Sequence, residues 1–327
     1  MRSMSKSVIW GGLMLMLGAC SNDPAQIGAA APQTSISKEW KKYDLGTREK
    51  LNTVYFVNEN LGFIAGNKGL LYKTVNGGVD WKKLTTGVNH DLVSISFNGK
   101  NRGVVNGLVS SDLGSSWVKS ASTASYYCYY AGENNLIGGS NSSFEGTVFL
   151  SKNHGATWSK AHQIRPKTGF YSRGSFLGNT GYLASWYSGR LLKTNDSGAS
   201  WNVITKGTTV PTGGKQIFDD FFDVQAISAT TVYAVSNRYL SISEDGGRTF
   251  RVLYTLVPSG ASLRSVYVEA DRLVLTDSDG TVLLSTDGGK NWTLKTLNKG
   301  TIFTDVTIHK KVIFVIGDKG ALWRKHL

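Results

Sequence analysis

Residues 74–81 read Thr-Val-Asn-Gly-Gly-Val-Asp-Trp, and the same grammar returns five more times along the chain. Ser-Ser-Asp-Leu-Gly-Ser-Ser-Trp occupies 110–117, Ser-Lys-Asn-His-Gly-Ala-Thr-Trp 151–158 and Thr-Asn-Asp-Ser-Gly-Ala-Ser-Trp 194–201. Ser-Glu-Asp-Gly-Gly-Arg-Thr-Phe follows at 243–250 and Ser-Thr-Asp-Gly-Gly-Lys-Asn-Trp at 285–292. The closing aromatics are spaced by 36, 41, 43, 49 and 42 residues, so the chain is a repeat protein with one structural unit per period. Each box has the chemistry of a turn. A short Asp or Asn side chain accepts backbone N–H groups, and Gly supplies a positive φ. The residues at that position are Asn76, Asp112, Asn153, Asp196, Asp245 and Asp287.

The segments around the boxes are strand-like. Leu-Asn-Thr-Val-Tyr-Phe-Val at 51–57 alternates, Leu-Gly-Phe-Ile-Ala-Gly at 61–66 follows a polar turn, and Gly-Leu-Leu-Tyr-Lys-Thr at 69–74 enters the box that Trp-Lys-Lys-Leu leaves at 81–84. Four short strands per unit make a propeller blade. The pattern recurs at 92–97, at 224–227 with 231–235, and at 263–268 with 272–276. After Trp292 come three strands without a box, at 304–308, 312–316 and 320–324, while Glu-Trp-Lys-Lys-Tyr at 39–43 imitates 81–84. Trp40 lies one period before Trp81. The spacing therefore predicts an all-β, seven-bladed β-propeller whose last blade is closed by the N-terminal strand.

The boxes resemble the Asp-box, or BNR, repeat of β-propellers. The blade pattern as a whole resembles the photosystem II stability/assembly-factor-like branch, and that resemblance implies a non-enzymatic assembly helper. It also implies that the box residues are structural and hold neither metal nor sugar. Asp-Ser-Asp-Gly at 277–280 lacks the further oxygen ligands and terminal Glu of a calcium loop.

The chain starts with Arg2 and Lys6 ahead of an apolar run from Val8 to Leu17, too short to span a bilayer and suited to a secretion signal. Leu-Gly-Ala-Cys at 17–20 resembles a bacterial lipobox, which implies cleavage before Cys20 and lipidation of that residue. Ser21 in place of Asp implies, by the same resemblance, the outer membrane of a Gram-negative cell. Residues 1–19 then form a signal peptide, 20–37 a tether reaching at most about 55–60 Å, and 38–327 a single propeller.

Of 327 residues, 36 are Lys or Arg and 23 Asp or Glu, a net charge of +13. Loss of residues 1–19 leaves 34 basic residues against 23 acidic, or +11. Two cysteines exclude a disulfide framework, and Cys128, in Ser-Tyr-Tyr-Cys-Tyr-Tyr, reads as a small buried apolar residue. The five histidines show no metal-ligand spacing, and no P-loop, Gly-x-Ser-x-Gly or dinucleotide fingerprint is present. No cofactor is expected. Ile-Arg-Pro at 164–166 is a reordered form of the sialidase-family motif, and no Tyr–Glu pair or carboxylate cluster at the channel mouth is legible.

From Gly146 to Asn195 there is no acidic residue, while seven Lys or Arg occur. Read as loops, 161–173 and 185–190 share the ligand-bearing face. They bring Arg165, Lys167, Arg173 and Arg190 beside Tyr171, Trp186 and Tyr187, side-chain types that carry binding energy at interfaces. The longest inter-box interval holds an inserted segment at 205–223, ending on Asp219, Asp220 and Asp223 among three phenylalanines, a candidate lid or second contact. An exported chain does not meet nucleic acid, so its counter-charge is an acidic protein, lipid head group or glycan. The expected function is a membrane-anchored scaffold that binds a protein partner and assists assembly of a cell-envelope complex. The alternative is a carbohydrate-binding or glycoside-cleaving surface lipoprotein.

Overall fold

Leu51–Phe56 runs antiparallel to Gly62–Gly66, which pairs in turn with Leu71–Thr74 and then Lys82–Leu84. The first three strands are almost wholly buried, and the lysines of the fourth are exposed. A charged outer strand protects the one open edge of such a sheet. This is blade 1 in the computed structural model of the chain, which describes residues 39–120, 127–139, 146–163, 170–186, 189–204, 208–209, 216–217, 220–256 and 260–327.

Six more four-stranded sheets repeat the order, so the protein is an all-β, seven-bladed propeller. The inner strands of blades 2 to 7 are Ser96–Phe97, Tyr127–Ala131, Phe170–Leu177, Phe221–Ala226, Leu263–Glu269 and Phe303–His309. In blade 7, Val312–Gly317 and Leu322–His326 follow, and Lys41–Tyr43 completes the sheet by pairing Lys41 with Arg324 and Tyr43 with Leu322. The N-terminal strand thus closes the ring, as the Trp40 spacing predicts.

The core lies between blades. One apolar cluster joins Leu61, Phe63 and Leu71 of blade 1 to Phe97, Val105 and Leu108 of blade 2; another joins Ile64 and Tyr72 to Phe314 and Ile316 of blade 7. Third-strand cations add a directional bond to the neighbouring box. Lys73 donates to the Gly114 carbonyl (3.1 Å), Lys193 to Gly246 (2.8 Å) and Arg324 to Gly78 (3.0 Å).

Every box sits between the third and fourth strands with one hydrogen-bond scheme. In blade 2, Ser110 Oγ donates to Asp112 Oδ1 (2.8 Å) and accepts Gly114 N–H (2.8 Å), and Asp112 Oδ1 accepts Ser116 N–H (2.9 Å). The corresponding backbone donations reach Asn76 from Asp80, Asn153 from Thr157, Asp196 from Ser200, Asp245 from Thr249 and Asp287 from Asn291. Trp158, Trp201 and Trp292 each return an indole N–H to the box glycine carbonyl.

Two expectations need correction. The strand expected at 92–97 pairs only at Ser96–Phe97, because Asn106 Oδ1 takes the N–H groups of Val93 and Ser94 and draws that stretch off the ladder. The inserted segment contains a short hairpin, Thr208–Thr209 with Gln216–Ile217, and Asp223 is no part of a loop but stands in the inner strand of blade 5. Asp219 lies outside the described residues.

Candidate functional site: the channel and its mouth

Five of the seven inner strands share a local irregularity. Their register slips between Leu51 and Thr53, Tyr171 and Arg173, Phe221 and Asp223, Leu263 and Ser265, and Phe303 and Asp305. A bulge re-aims the residue that follows it. Thr53, Arg173, Asp223 and Asp305 accordingly line the central channel, a cavity of ≈ 400 Å³ walled by inner strands of all seven blades. Ser265 stands at the same register position in blade 6.

Arg173 crosses this channel. Its Nη1 lies 3.2 Å from Asp305 Oδ2, and its Nη2 donates to the carbonyls of Asn52 (3.1 Å) and Thr304 (2.8 Å). One side chain of blade 4 therefore ties blades 7 and 1 together. Burial works against the Arg173 charge, but Asp305 and Asp223 outweigh it and hold the guanidinium pKa above its ordinary value.

Ser265 bridges the two carboxyl groups. Its hydroxyl lies 2.7 Å from Asp223 Oδ2 and 3.1 Å from Asp305 Oδ1. One hydroxyl carries one proton, so both contacts are satisfied together only when a carboxyl supplies a second. At Asp223 burial pushes the pKa up, Arg173 opposes, and Asp305 adds to the rise. The arrangement is an Arg173–Asp305 ion pair beside Asp223, a carboxyl whose burial favours its protonated form.

The carboxylate oxygens are also committed to backbone. Asp305 Oδ2 accepts Val54 N–H (3.0 Å) and Oδ1 that of Val306 (3.0 Å); Asp223 Oδ2 accepts Val266 N–H (3.0 Å) and Oδ1 that of Val224 (2.9 Å). An inner strand has one ladder partner, so N–H groups on its channel side need acceptors from elsewhere. Ser94 caps Cys128, Ser96 caps Tyr130, Ser175 caps Ala226 and Gln225 caps Val268, each from the preceding blade. Cys128 is itself buried in the interior.

The residues proposed for partner contact are distributed as follows. Arg173 is not in an interblade loop; the inner strand of blade 4 begins at Phe170, because Phe170 and Tyr171 pair with Trp186 and Ser185. Tyr171 and Trp186 are thus strand residues. Arg190 follows the second strand of the same blade, its carbonyl accepting Ser185 N–H (3.0 Å). It stands near His162 of blade 3, whose imidazole pKa is lowered by burial and then by the Arg190 charge. Arg165, Lys167, Tyr187 and Cys20 lie outside the described residues. Among the described residues no group of three or more His, Cys, Asp or Glu is placed to hold a metal ion.

A carboxyl pair at the channel does exist, contrary to the sequence expectation. Its signal was present in the repeats: Leu-Asn-Thr-Val (51–54), Phe-Phe-Asp-Val (221–224), Leu-Arg-Ser-Val (263–266) and Phe-Thr-Asp-Val (303–306) place a polar residue just before Val in four of the seven inner strands.

Fold and site together define a β-propeller with repeated box turns and a channel whose Arg173 is paired with Asp305. Within that class, residues 32–125 match the model of the photosynthesis system II assembly factor YCF48 family, and the resemblance to the photosystem II assembly-factor branch is thereby shown. The photosystem II assembly lipoprotein Ycf48 of Synechococcus sp. (strain RCC307) is 32% identical over 102 residues, which cover 30% of this chain and 29% of that protein. The chain thus matches less than a third of the length of that curated relative. Among solved structures, Ycf48 bound to D1 peptide superimposes with a TM-score of 0.68 at 18% identity, covering 88% of this chain and 95% of the other. Ycf48 from Cyanidioschyzon merolae gives 0.68 at 19%, covering 88% and 98%. At these identities the structures show the fold.

Proposed function

We propose that this chain is a non-catalytic propeller that binds a protein partner and assists assembly or stability of a cell-envelope complex, anchored through Cys20 to the outer membrane of a Gram-negative cell. The observation that carries the non-catalytic reading is the state of the channel carboxyls. All four oxygens of Asp223 and Asp305 are engaged by backbone N–H groups, Ser265 or Arg173. A glycosidase needs one carboxyl free to protonate a leaving group and another facing the sugar or a water. The relatives named as assembly lipoproteins, and the one solved with a D1 peptide, support a protein partner.

The partner face is that of blade 4, with Arg165, Lys167, Tyr171, Trp186, Tyr187 and Arg190, and the partner segment it suits is acidic. Arg173, expected at this face, is instead engaged in the channel by Asp305 and the Asn52 and Thr304 carbonyls. Affinity capture from detergent-solubilised envelope tests the reading. The full-length protein retains a partner that Arg165→Glu/Arg190→Glu loses; equal capture by both refutes the face. Turnover of fluorogenic glycosides by the wild type would refute the non-catalytic assignment.

A further inference from the structure

Loop 44–50 carries the chain from the closing strand of blade 7 to the first strand of blade 1. It meets the turn 318–321 of blade 7, where Gly320 N–H donates to the Glu49 carbonyl (3.0 Å). A cavity of ≈ 440 Å³ opens at this junction, and its walls include Lys42, Asp44, Thr47, Arg48, Lys319 and Gly320. Three cations thus share one cavity with one carboxylate. Lys42 and Arg48 are exposed, and neither makes an ion pair with a described residue. Lys319 donates to the Gly300 carbonyl (3.0 Å). Asp44 Oδ1 accepts Gly46 N–H of its own loop (2.8 Å), and the neighbouring Glu49 is paired with Lys68 (2.9 Å).

The turn is a repeated feature, but its charge is not. Gly320 sits at φ +67, and a Cβ there would collide with the Thr47 carbonyl; Gly69 of blade 1 and Gly280 of blade 6 meet Val88 and Asn298 in the same way. At the residue before the glycine, blade 6 has Asp279 and blade 1 has Lys68, neutralised by Glu49. Of these three turns, that of blade 7 alone keeps its cation without an acidic partner and gathers two more around it. The charge continues along the rim: Lys41 and Lys42 of blade 7 and Lys82 and Lys83 of blade 1 are exposed, on outer strands without Asp or Glu. The outer strand of blade 4, Asn202–Val203, has no cation, and blade 5 pairs Arg251 with Glu244 (3.4 Å). Edge protection explains a charge on each outer strand, not a concave cluster on one side of the ring.

A concave surface of one sign focuses its field on an approaching anion. A guanidinium offers two parallel donors to phosphate oxygens, and an ammonium adds a point charge that adapts to them. The occupant follows from the path of the chain. Residues 20–37 lead into Glu39 and the strand Lys41–Tyr43, whose Lys42 lines the cavity. With Cys20 lipidated, this is the first part of the propeller reached along the chain from the bilayer, and a lipid chain plus a basic patch is a stable combination of membrane signals.

We propose that the blade 7 cavity docks the phosphate of an anionic phospholipid, so that the ring meets the membrane through the rim of blades 7 and 1. The choice of occupant rests on the reading of Cys20 as the anchor, and the surface is separate from the partner face of blade 4.

The test is co-sedimentation with vesicles of phosphatidylglycerol or of phosphatidylcholine, using residues 21–327, which hold every strand of the closed ring and lack Cys20. This protein pellets with phosphatidylglycerol and stays in solution with phosphatidylcholine. Lys42→Gln/Arg48→Gln keeps the wild-type unfolding midpoint and lowers the phosphatidylglycerol partition roughly 30-fold. Lys295→Gln, on the exposed outer strand of blade 6, leaves the partition unchanged. Partition that survives the double substitution, or equal partition to both lipids, overturns the proposal. So does a protein that binds neither vesicle while inorganic phosphate raises its unfolding midpoint, which assigns the cavity to a free anion. The lipidated chain tests the anchor separately: it pellets with both lipids, and failure to pellet with phosphatidylcholine refutes the anchor without touching the result for residues 21–327.

Discussion

Asp305 of blade 7 accepts the N–H of Val54 in blade 1 at 3.0 Å, across 251 positions of sequence. With Thr304 Oγ1 donating to the Leu51 carbonyl (2.6 Å), it joins the last inner strand to the first. The channel side of the ring is closed by side chains, the outer side by the strand Lys41–Tyr43. Removal of residues 1–43 therefore leaves Leu322–His326 as an open edge and strips Trp40 from the apolar cluster it packs against. Such a truncation lowers the unfolding midpoint and produces oligomers through the bared edge, which size-exclusion chromatography detects.

The box carboxylates control acid stability. Asp112 and Asp287 are held at about 2 against an ordinary 3.8, chiefly by the backbone N–H groups of Ser116 and Asn291. Asp196 and Asp245 are lowered as well, chiefly by the hydroxyls of Ser200 and Thr249. A carboxylate depressed in the folded state stabilises it above the unfolded value, and this is lost as pH falls through the folded value. The midpoint should drop between pH 3.8 and about 2. Asp112→Asn/Asp287→Asn should flatten that limb while folding normally at neutral pH, since Asn76 and Asn153 make the same turn bonds. An unchanged acid limb in the double variant would show that other groups govern it.

Asp223 works in the opposite sense. Its raised pKa means that the folded chain retains a proton the unfolded chain releases, so this group's contribution is full below 3.8 and declines as pH rises through the folded value. Asp223→Asn removes that decline, readable as a flatter midpoint profile on the side above pH 3.8.

Adjacent glycines in one box should respond differently to alanine. Gly288 (φ +73) faces open space, whereas a Cβ on Gly289 (φ +88) would stand 2.8 Å from Leu253 Cδ2. Gly288→Ala carries only the left-handed strain of about 1–2 kcal/mol. Gly289→Ala adds displacement of a packed leucine, typically a further ~1–3 kcal/mol. Urea unfolding of the two variants should separate them in that order.

The blades were legible because every box repeats one hydrogen-bond scheme, and local chemistry at fixed spacing survives in sequence. Ring closure was legible for the same reason, since Trp40 repeats the position of Trp81. The channel was harder. Arg173 looks like a loop cation beside Gly174, and only the bulge between Tyr171 and Arg173 turns it inward. Asp305 and Asp223 sit in apolar strands of different blades and acquire their roles from Val54 and Val266, residues distant in the chain. The site's chemistry is made by contacts between blades, which spacing within a blade does not encode.

The central claim is that the channel carboxyls serve structure, Asp305 as the counter-ion of Arg173 and Asp223 as a buried hydrogen-bonding group. Urea unfolding of Asp223→Asn and Asp305→Asn at neutral pH tests it most directly. The amide keeps the shape of the carboxyl and an acceptor for backbone N–H, and it carries no charge that burial opposes, so Asp223→Asn should stay within about 1 kcal/mol of wild type. Asp305→Asn leaves Arg173 buried without its counter-ion and should lose about 3–5 kcal/mol. Equal losses in both variants, or a larger loss from Asp223→Asn, would contradict this account of the channel.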